Sequence, residues 1–387
     1  MNLNDTEIAF RSRTNADLGR AYWLFRLVSY PWLVKSGSQM TKLLFSLHLP
    51  IEGLIRKTLF RQFCGGENID ECKSTIKELA KFGVGTILDY SVEGIDDERR
   101  FDGIAQEILK TIDHAEKNPS IPFCVFKMTG IARFGLLAKL NAKERLTKEE
   151  GAEWVRVQHR VRALCLNAHQ RNVRLFVDAE ESWVQGVIDD LILERMREFN
   201  KDKAIVFNTL QMYRTDRLTY LNDLNTLAKK ENFFLGLKIV RGAYMEKERD
   251  RAVELGIGSP ILPDKAATDR NYDEALKFCL DHKERISLCA GTHNEASTRL
   301  LAQGMTHSKI SPHDDHIFFS QLLGMSDNLT FNLAAKKFNV AKYVPYGPIR
   351  AMLPYLLRRA EENQSISGQT TRELIRIEEE LARRKDK

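Results

Sequence analysis

The feature that most constrains this chain is a rhythm. Beyond Gly65 and Gly66, short apolar runs rich in β-branched residues recur at 84–90, 123–128, 174–178, 205–211, 234–240, 286–290, 317–323 and 343–346. Each is followed by an amphipathic, charged stretch long enough for a helix. Eight strand–helix units in 387 residues predict an α/β fold, a (βα)8 barrel of the TIM type. A doubly wound sheet is the structural alternative. It would usually announce a dinucleotide with G-x-G-x-x-G after its first strand, and the sequence has no such run. The expected organisation is a helical arm over residues 1–66, the barrel over 67–366, and a charged C-terminal helix or tail over 367–387. The tail reads as a surface helix that frays.

With 43% hydrophobic residues, the chain can fill one large core. No apolar run is long enough to span a bilayer. The first ten residues carry Asp5 and Glu7 and lack the basic-then-apolar order of a signal peptide. A cytoplasmic location is therefore the expectation. The six cysteines contain no C-x-x-C pair, and several fall in apolar runs, where a reduced thiol behaves as a small hydrophobe. Two histidines, His313 and His316, flank Asp314 and Asp315; the preferred reading is a surface turn rather than a metal site.

Charge is unevenly placed. Residues 20–61 hold seven of the 59 basic residues and one of the 53 acidic ones, which leaves 52 of each sign elsewhere. The same stretch carries Trp23, Phe25, Trp32, Leu43, Leu44, Phe45, Leu54, Ile55, Leu59 and Phe60. One reading is a peripheral contact with an anionic membrane, here the inner face of the cytoplasmic membrane. The other, preferred, is an arm whose apolar stripe covers the domain. Nucleic acid is not expected as a partner, since no binding motif accompanies the charge.

In a barrel, reacting groups belong at the C-terminal ends of strands. Those ends supply Glu93, Lys127, Asp178, Gln211, Tyr213, Lys238, Arg241, Tyr244, Thr292, His293, Asn294 and Tyr343. So many polar groups in that position are costly in a core and expected in a site. For Lys127 or Asp178 taken singly, a salt bridge on the rim is an equal reading.

Residues 343–363 read YVPYGPIRAMLPYLLRRAEEN. Gly347 and Pro348 turn the chain into a helix in which Tyr355, Arg358, Arg359 and Glu362 share one face. Pro354 should kink that helix, so that it could lie across a barrel mouth. Paired arginines beside a tyrosine suit a carboxylate. Out of context, Arg358 and Glu362 would be an ordinary surface pair worth about 0.3–0.5 kcal/mol.

This segment resembles the signature of the proline dehydrogenase family. So do VFKMTG at 125–130, FVDAEE at 176–181, LQMY at 210–213, LKIVRGAYMEKER at 237–249, AGTHN at 290–294 and FFSQLLGM at 318–325. The motifs keep the family's order and span roughly residues 84–363. The resemblance implies a distorted β/α barrel that binds FAD at its strand ends, with the last helix over the barrel mouth. It implies that Lys127, Arg358 and Arg359 bind the proline carboxylate. Tyr343, Tyr355, Tyr244, Ile239, Ala243 and Leu322 would enclose the ring. Lys238 would stand near flavin N5, and Asp178 would order the cationic site. Val177, Gln211, Arg241, Gly242, Ala243, Thr292, His293 and Glu362 would contact FAD, while Glu93 and Arg358 would pair as a gate. Ile349 occupies a position that is often aromatic in relatives.

The implied reaction takes L-proline to 1-pyrroline-5-carboxylate, with quinone as electron acceptor. Hydroxyproline oxidation is the nearest rival, and the bulk of Tyr343 disfavours it. A Schiff-base aldolase using Lys127 or Lys238 is the rival from another class. A non-catalytic barrel that binds membranes or partners through its basic arm is a third.

Overall fold

The computed structural model describes residues 2–30, 52–92, 97–365 and 369–386, with side chains except those of 28, 360–365, 369 and 370. Its eight strands are β1 (Gly85–Tyr90), β2 (Phe123–Phe126), β3 (Arg174–Val177), β4 (Val206–Gln211), β5 (Leu235–Val240), β6 (Ile286–Gly291), β7 (Ile317–Leu322) and β8 (Val340–Tyr346). They run in sequence order around a closed barrel, and every described pairing is parallel. Helices follow the strands, as the rhythm of the sequence predicts. Strands buried on both faces read as continuous apolar runs, and β2 and β4 are buried at every position.

The chain divides into two compact units, residues 94–320 and residues 2–93 with 321–387. In the first, four phenylalanines from β2, β3, β4 and β7 make an aromatic layer. Phe123 stacks on Phe176 with ring centroids 4.3 Å apart, and Phe207 and Phe318 meet Phe123 edge-on at 5.5 and 4.8 Å. Such pairs add about 0.5–1.5 kcal/mol each beyond the area they bury. The layer also forms a floor, because the Lys238 ammonium stands 5.3 Å from the Phe176 ring centroid.

In the second unit, β1 pairs with β8 so that Ile87 faces Tyr343 and Tyr90 faces Tyr346. Gly65 and Gly66 extend alongside the end of β8: Gly65 N donates to Pro345 O at 2.9 Å and Gly347 N to Gly66 O at 3.1 Å. A Cβ on Gly65 would meet Val344 Cγ1 at 2.5 Å, so the approach needs glycine. The arm packs here. Phe10, Phe25, Ile55, Phe60 and Phe63 share a buried cluster with Met352, Leu353, Leu356 and Leu357 of the helix Ile349–Ser365. Phe25, Ile55, Leu59 and Phe60 of the stripe therefore cover the domain, while Trp23 and Leu54 are exposed; Trp32, Leu43, Leu44 and Phe45 lie outside the described residues.

The C-terminal helix Gln369–Lys385 is not the fraying surface element its charge suggests. Ile377 is buried in the same cluster, and Glu380 is fully buried between Arg383 and Arg384. Arg384 donates at 2.8 Å to the carbonyls of Phe10 and Arg13, tying this helix to the N-terminal segment. All six cysteines are buried free thiols. His313 and His316 sit in an exposed turn, where Asp314 accepts from His316 and Lys283. No described helix is long and apolar enough to cross a membrane.

Candidate active site

In the unit of residues 94–320, the ends of β2, β3 and β5 bring together three groups singled out in the sequence. Asp178 directly follows β3, and its amide continues the ladder by donating to Phe126 O at 3.0 Å. Its carboxylate takes Lys127 Nζ on Oδ2 at 2.5 Å and Lys238 Nζ on Oδ1. Burial would push the carboxyl upward, but the two ammonium groups and their hydrogen bonds outweigh it and hold Asp178 below the usual carboxylate range. Lys127 keeps 16% of its side chain exposed and Lys238 only 6%.

The β5 end continues into Arg241, Gly242, Ala243 and Tyr244. Arg241 is fixed by Asp269 at 2.7 Å, Thr292 Oγ1 at 2.6 Å and Ser297 Oγ at 2.9 Å, with its guanidinium 4.2 Å from the Tyr272 ring centroid. Gly242 adopts φ +143°, and a Cβ there would meet the Tyr213 ring at 2.5 Å. Only glycine lets the loop pass. Gly242 and Ala243 are exposed, while Ala243 N donates to Gln211 Oε1 at 3.3 Å. Glu248 holds the following helix Met245–Leu255 by accepting from Ser182 N and Oγ at 2.7 and 2.6 Å.

Other sequence candidates have settled positions in this unit. Val177 is fully buried, its carbonyl taken by Thr209 Oγ1. Ile239 is likewise buried within β5. Thr292 is buried and His293 half-buried at the end of β6. Asn294 caps the helix Glu295–His307, accepting from Ala296 N and Ser297 N. That explains its place in AGTHN by local structure.

The unit of residues 2–93 and 321–387 holds the remaining candidates. Tyr343 lies on β8, buried, with its carbonyl accepting from Leu323 N at 2.9 Å; Leu322 is half-buried. Within the helix Ile349–Ser365, Tyr355 and Arg359 are buried, Arg358 is half-buried, and the Arg359 guanidinium stands 5.2 Å from the Tyr355 ring centroid. Pro354 is exposed and the helix runs through it. Ile349 N donates to Glu67 Oε2 at 3.1 Å, which fixes the start of this helix. Glu93 and the side chain of Glu362 lie outside the described residues, so the gate and one cofactor contact are not described.

Sequence reasoning missed several residues that hold the site. Asp269, Ser297 and Tyr272 come from helices and carry no strand-end signal. Glu180 and Thr129 lie inside the FVDAEE and VFKMTG motifs but have no role there. Glu180 is buried, and its carboxyl is pushed up to about 7 by burial, only partly offset by two hydrogen bonds from Thr129.

A cluster of ammonium groups around one carboxylate, beside exposed main-chain amides, can bind an organic anion and a polar planar cofactor. Comparison with known proteins points the same way. A family model described as Proline dehydrogenase matches residues 72–372. The chain is 32% identical over 426 aligned residues to "Proline dehydrogenase 1, mitochondrial" of Dictyostelium discoideum, covering 98% of this chain and 74% of that protein. It is 36% identical over 322 residues to "Carbapenem antibiotics biosynthesis protein CarD" of Pectobacterium carotovorum subsp. carotovorum, covering 83% of each. The crystal structure of proline utilization A from Bdellovibrio bacteriovorus, inactivated by N-propargylglycine, is similar in fold, with a TM-score of 0.70 at 20% identity. That likeness covers 81% of this chain, which spans 34% of the longer protein. The chain belongs to the proline dehydrogenase family.

Proposed function

We propose that this chain oxidises L-proline to 1-pyrroline-5-carboxylate with FAD as its cofactor. The observation that carries the reading is the Lys127–Asp178–Lys238 cluster at the ends of β2, β3 and β5. A buried carboxylate there holds two ammonium groups in place. Lys127 then serves the substrate carboxylate, as do Arg358 and Arg359 through charged hydrogen bonds. Tyr343, Tyr355, Tyr244 and Leu322 enclose the ring, with Ala243 and Ile239. The donor set also suits a flavin: Lys238, the Gln211 amide, Arg241 and the exposed Gly242 backbone offer hydrogens to ring acceptors and to phosphate, with Ala243 beside them. Thr292, His293, Val177 and Glu362 complete that set. When bound, FAD would supply the two-electron sink for the hydride equivalent leaving the ring carbon beside nitrogen.

The chain's own residues orient and exclude. Lysine and arginine fix the carboxylate, aromatic walls fix the ring face, and a water-poor pocket keeps both in register. A cationic pocket disfavours a protonated amine, so the substrate nitrogen binds neutral without a dedicated base. Both lysines are paired with Asp178, which argues against the aldolase rival, since a Schiff base starts from a neutral amine. Tyr343 favours proline over hydroxyproline by leaving little room for a ring hydroxyl. Glu93 keeps its proposed pairing with Arg358 as a gate.

Electrons would pass on to membrane quinone. Support comes from the arm, where Trp23, Leu27 and Leu54 are 62%, 54% and 67% exposed. Lys57 and Arg61 line an adjoining groove of about 430 Å³. Peripheral membrane contact through residues 20–61 follows, with a cytoplasmic protein beneath it. Deleting the arm would strip Phe25, Phe60 and Phe63 from a core cluster. Changing Trp23, Leu27 and Leu54 to serine is the cleaner liposome test, and unchanged binding would remove this part of the reading. The division into arm, barrel and tail at residues 66 and 366 is proposed on the same footing.

The deciding experiment is an absorbance spectrum of purified protein before and after anaerobic proline. A yellow protein bleached by proline is expected; a colourless protein, or a yellow one indifferent to proline, overturns the proposal. Arg359→Met should weaken proline binding by about 10–100-fold, the worth of a charged hydrogen bond.

A further inference from the structure

Glu180 ties together three strand ends that the proposed chemistry uses, through both its side chain and its main chain. The carboxylate accepts from Thr129 N at 2.9 Å and from Thr129 Oγ1 at 2.5 Å. Thr129 sits in the short 3-10 turn Met128–Gly130, whose N-cap is Lys127. The Glu180 carbonyl accepts from Gln211 Nε2 at 2.7 Å, at the end of β4. The other end of that amide, Gln211 Oε1, takes Ala243 N of the loop after β5. The Glu180 amide donates to Gln185 Oε1 at 2.8 Å, and Gln185 Nε2 donates to Asp189 Oδ1 at 2.8 Å. Asp189 is in turn held by Asn208 and Arg217. The residue is thus anchored from behind by a buried network.

The choice of glutamate at this place has a physical cost. Glu180 is 3% exposed, and its side-chain hydrogen bonds come from one neutral residue, Thr129. A buried carboxylate without an ion pair is expensive. An apolar residue would remove that cost but leave Thr129 N and Oγ1 without acceptors. The arrangement makes sense if the turn beside Lys127 has to be held rigidly.

We propose that Glu180 is a positioning residue: its carboxylate fixes the turn that carries Lys127, and its carbonyl fixes the Gln211 amide. The substrate-carboxylate anchor and the flavin-facing loop are thereby held as one body. Glu180 touches neither substrate nor cofactor in this scheme and acts through Thr129 and Gln211. The inference rests on the proline-oxidising reading for the roles of Lys127 and Gln211.

Glutamine supplies the discriminating variant. In Glu180→Gln, Oε1 can accept from Thr129 N while Nε2 donates to Thr129 Oγ1, so both bonds survive without charge. Glu180→Leu loses both, and Thr129→Val loses one. The intact chain, loaded with flavin, is titrated with cyclopentanecarboxylate, a ring carboxylate with no nitrogen to oxidise. Its Kd is read from the flavin absorbance change, and proline KM and kcat are measured beside it. Glu180→Leu should raise both the analogue Kd and the proline KM by about tenfold or more, the scale set by misplacing an anchor. Thr129→Val should fall between, and Glu180→Gln should stay within about twofold of the parent.

Unchanged binding in Glu180→Leu, or a glutamine variant as impaired as the leucine one, overturns the proposal. If Glu180→Leu does not fold, Thr129→Val and Glu180→Gln decide by the same order. If the parent protein binds the analogue but leaves proline unoxidised, the functional reading fails while the positioning role is still measured.

Discussion

Asp178 and Asp327 stand in matching surroundings in the two units of the chain. Each is a buried aspartate between two cations: Asp178 between Lys127 and Lys238, Asp327 between Lys342 at 2.9 Å and Arg13 at 3.1 Å. In both, burial would raise the carboxyl and the neighbouring cations lower it further than burial raises it. The difference lies in the cations. Lys342 keeps 1% of its side chain exposed, on β8, and also donates to the carbonyls of Leu322 and Met325. Alternation along the strand puts it on the face opposite Tyr343. Burial lowers the Lys342 pKa, opposed first by Asp327 and then by Glu373, which is buried nearby and accepts from Ser326 N. Two anions thus answer two cations.

Around Asp178, the second anion is Glu180, whose carboxyl titrates near neutrality. Lys127 keeps 16% of its side chain exposed there, against 1% for Lys342. The same ion chemistry, balanced and sealed, ties a strand to a helix. With its outer lysine partly exposed, it is suited to an organic anion.

The comparison breaks most sharply on the two aspartates. Asp327→Ala leaves Lys342 buried without its carboxylate and should cost about 3–5 kcal/mol in a urea titration. Turnover per folded molecule should stay near the parent value. Asp178→Ala strips the buried Lys238 of its carboxylate and should also cost stability, but with proline turnover per folded molecule down by about 100-fold or more. Matching stability losses with intact turnover in both would show that the two sites are alike after all.

Acid should affect the pair together. A depressed carboxyl contributes stability that is present above its unfolded value, 3.8 for aspartate, and is lost as pH falls through the folded value. Both aspartates therefore predict a fold that holds at pH 5 and weakens below about pH 4. The isosteric variants Asp178→Asn and Asp327→Asn should each flatten that acid limb.

Glu180 has the opposite sign. Its carboxyl is raised from 4.5 to about 7, first by burial, with Thr129 and Lys127 opposing and Glu181 adding to the rise. Stability from the protonated form is complete below about pH 4.5 and is lost as pH climbs through 7. At about 1.4 kcal/mol per unit, the loss is on the order of 3 kcal/mol. Glu180→Gln should be flatter across that window, with thermal midpoints from pH 4 to 8 as the measurement. A parallel pair of curves would remove Glu180 as the titrating group.

The barrel was legible because buried parallel strands write themselves as apolar runs. Seven of the eight strands begin within one residue of the expected positions. The exception is instructive: β8 starts at Val340, not at residue 343, because Lys342 interrupts the apolar pattern. A fully buried lysine is invisible to a reading by hydrophobicity, since its partner Asp327 lies 15 residues away along the chain. The C-terminal helix misled for the same reason, its charges being spent inward on Glu380, Phe10 and Arg13. At the site, Lys127 and Asp178 were visible as polar residues ending apolar runs, and Lys238 as a polar residue within one. The pairing that joins them spans 51 and 60 residues and is not local information. Glu180 was hidden more deeply, because nothing in FVDAEE says which of two adjacent glutamates is buried against Thr129.

Arg13 offers the finest test of the comparison and the smallest expected effect. Its side chain is 31% exposed, so its pair with Asp327 is partly screened by water. In Arg13→Met, Asp327 keeps Lys342, and the carbonyls that Lys342 holds stay held. A loss of only about 0.5–1 kcal/mol is therefore expected, far below that of Asp327→Ala. Lys127 is the corresponding outer cation of the Asp178 cluster. Lys127→Met should cost comparably little in stability but weaken binding of cyclopentanecarboxylate by about tenfold or more. Equal stability losses with divergent binding would locate the difference between the clusters in what their outer cations face, since the aspartate and its inner lysine are common to both.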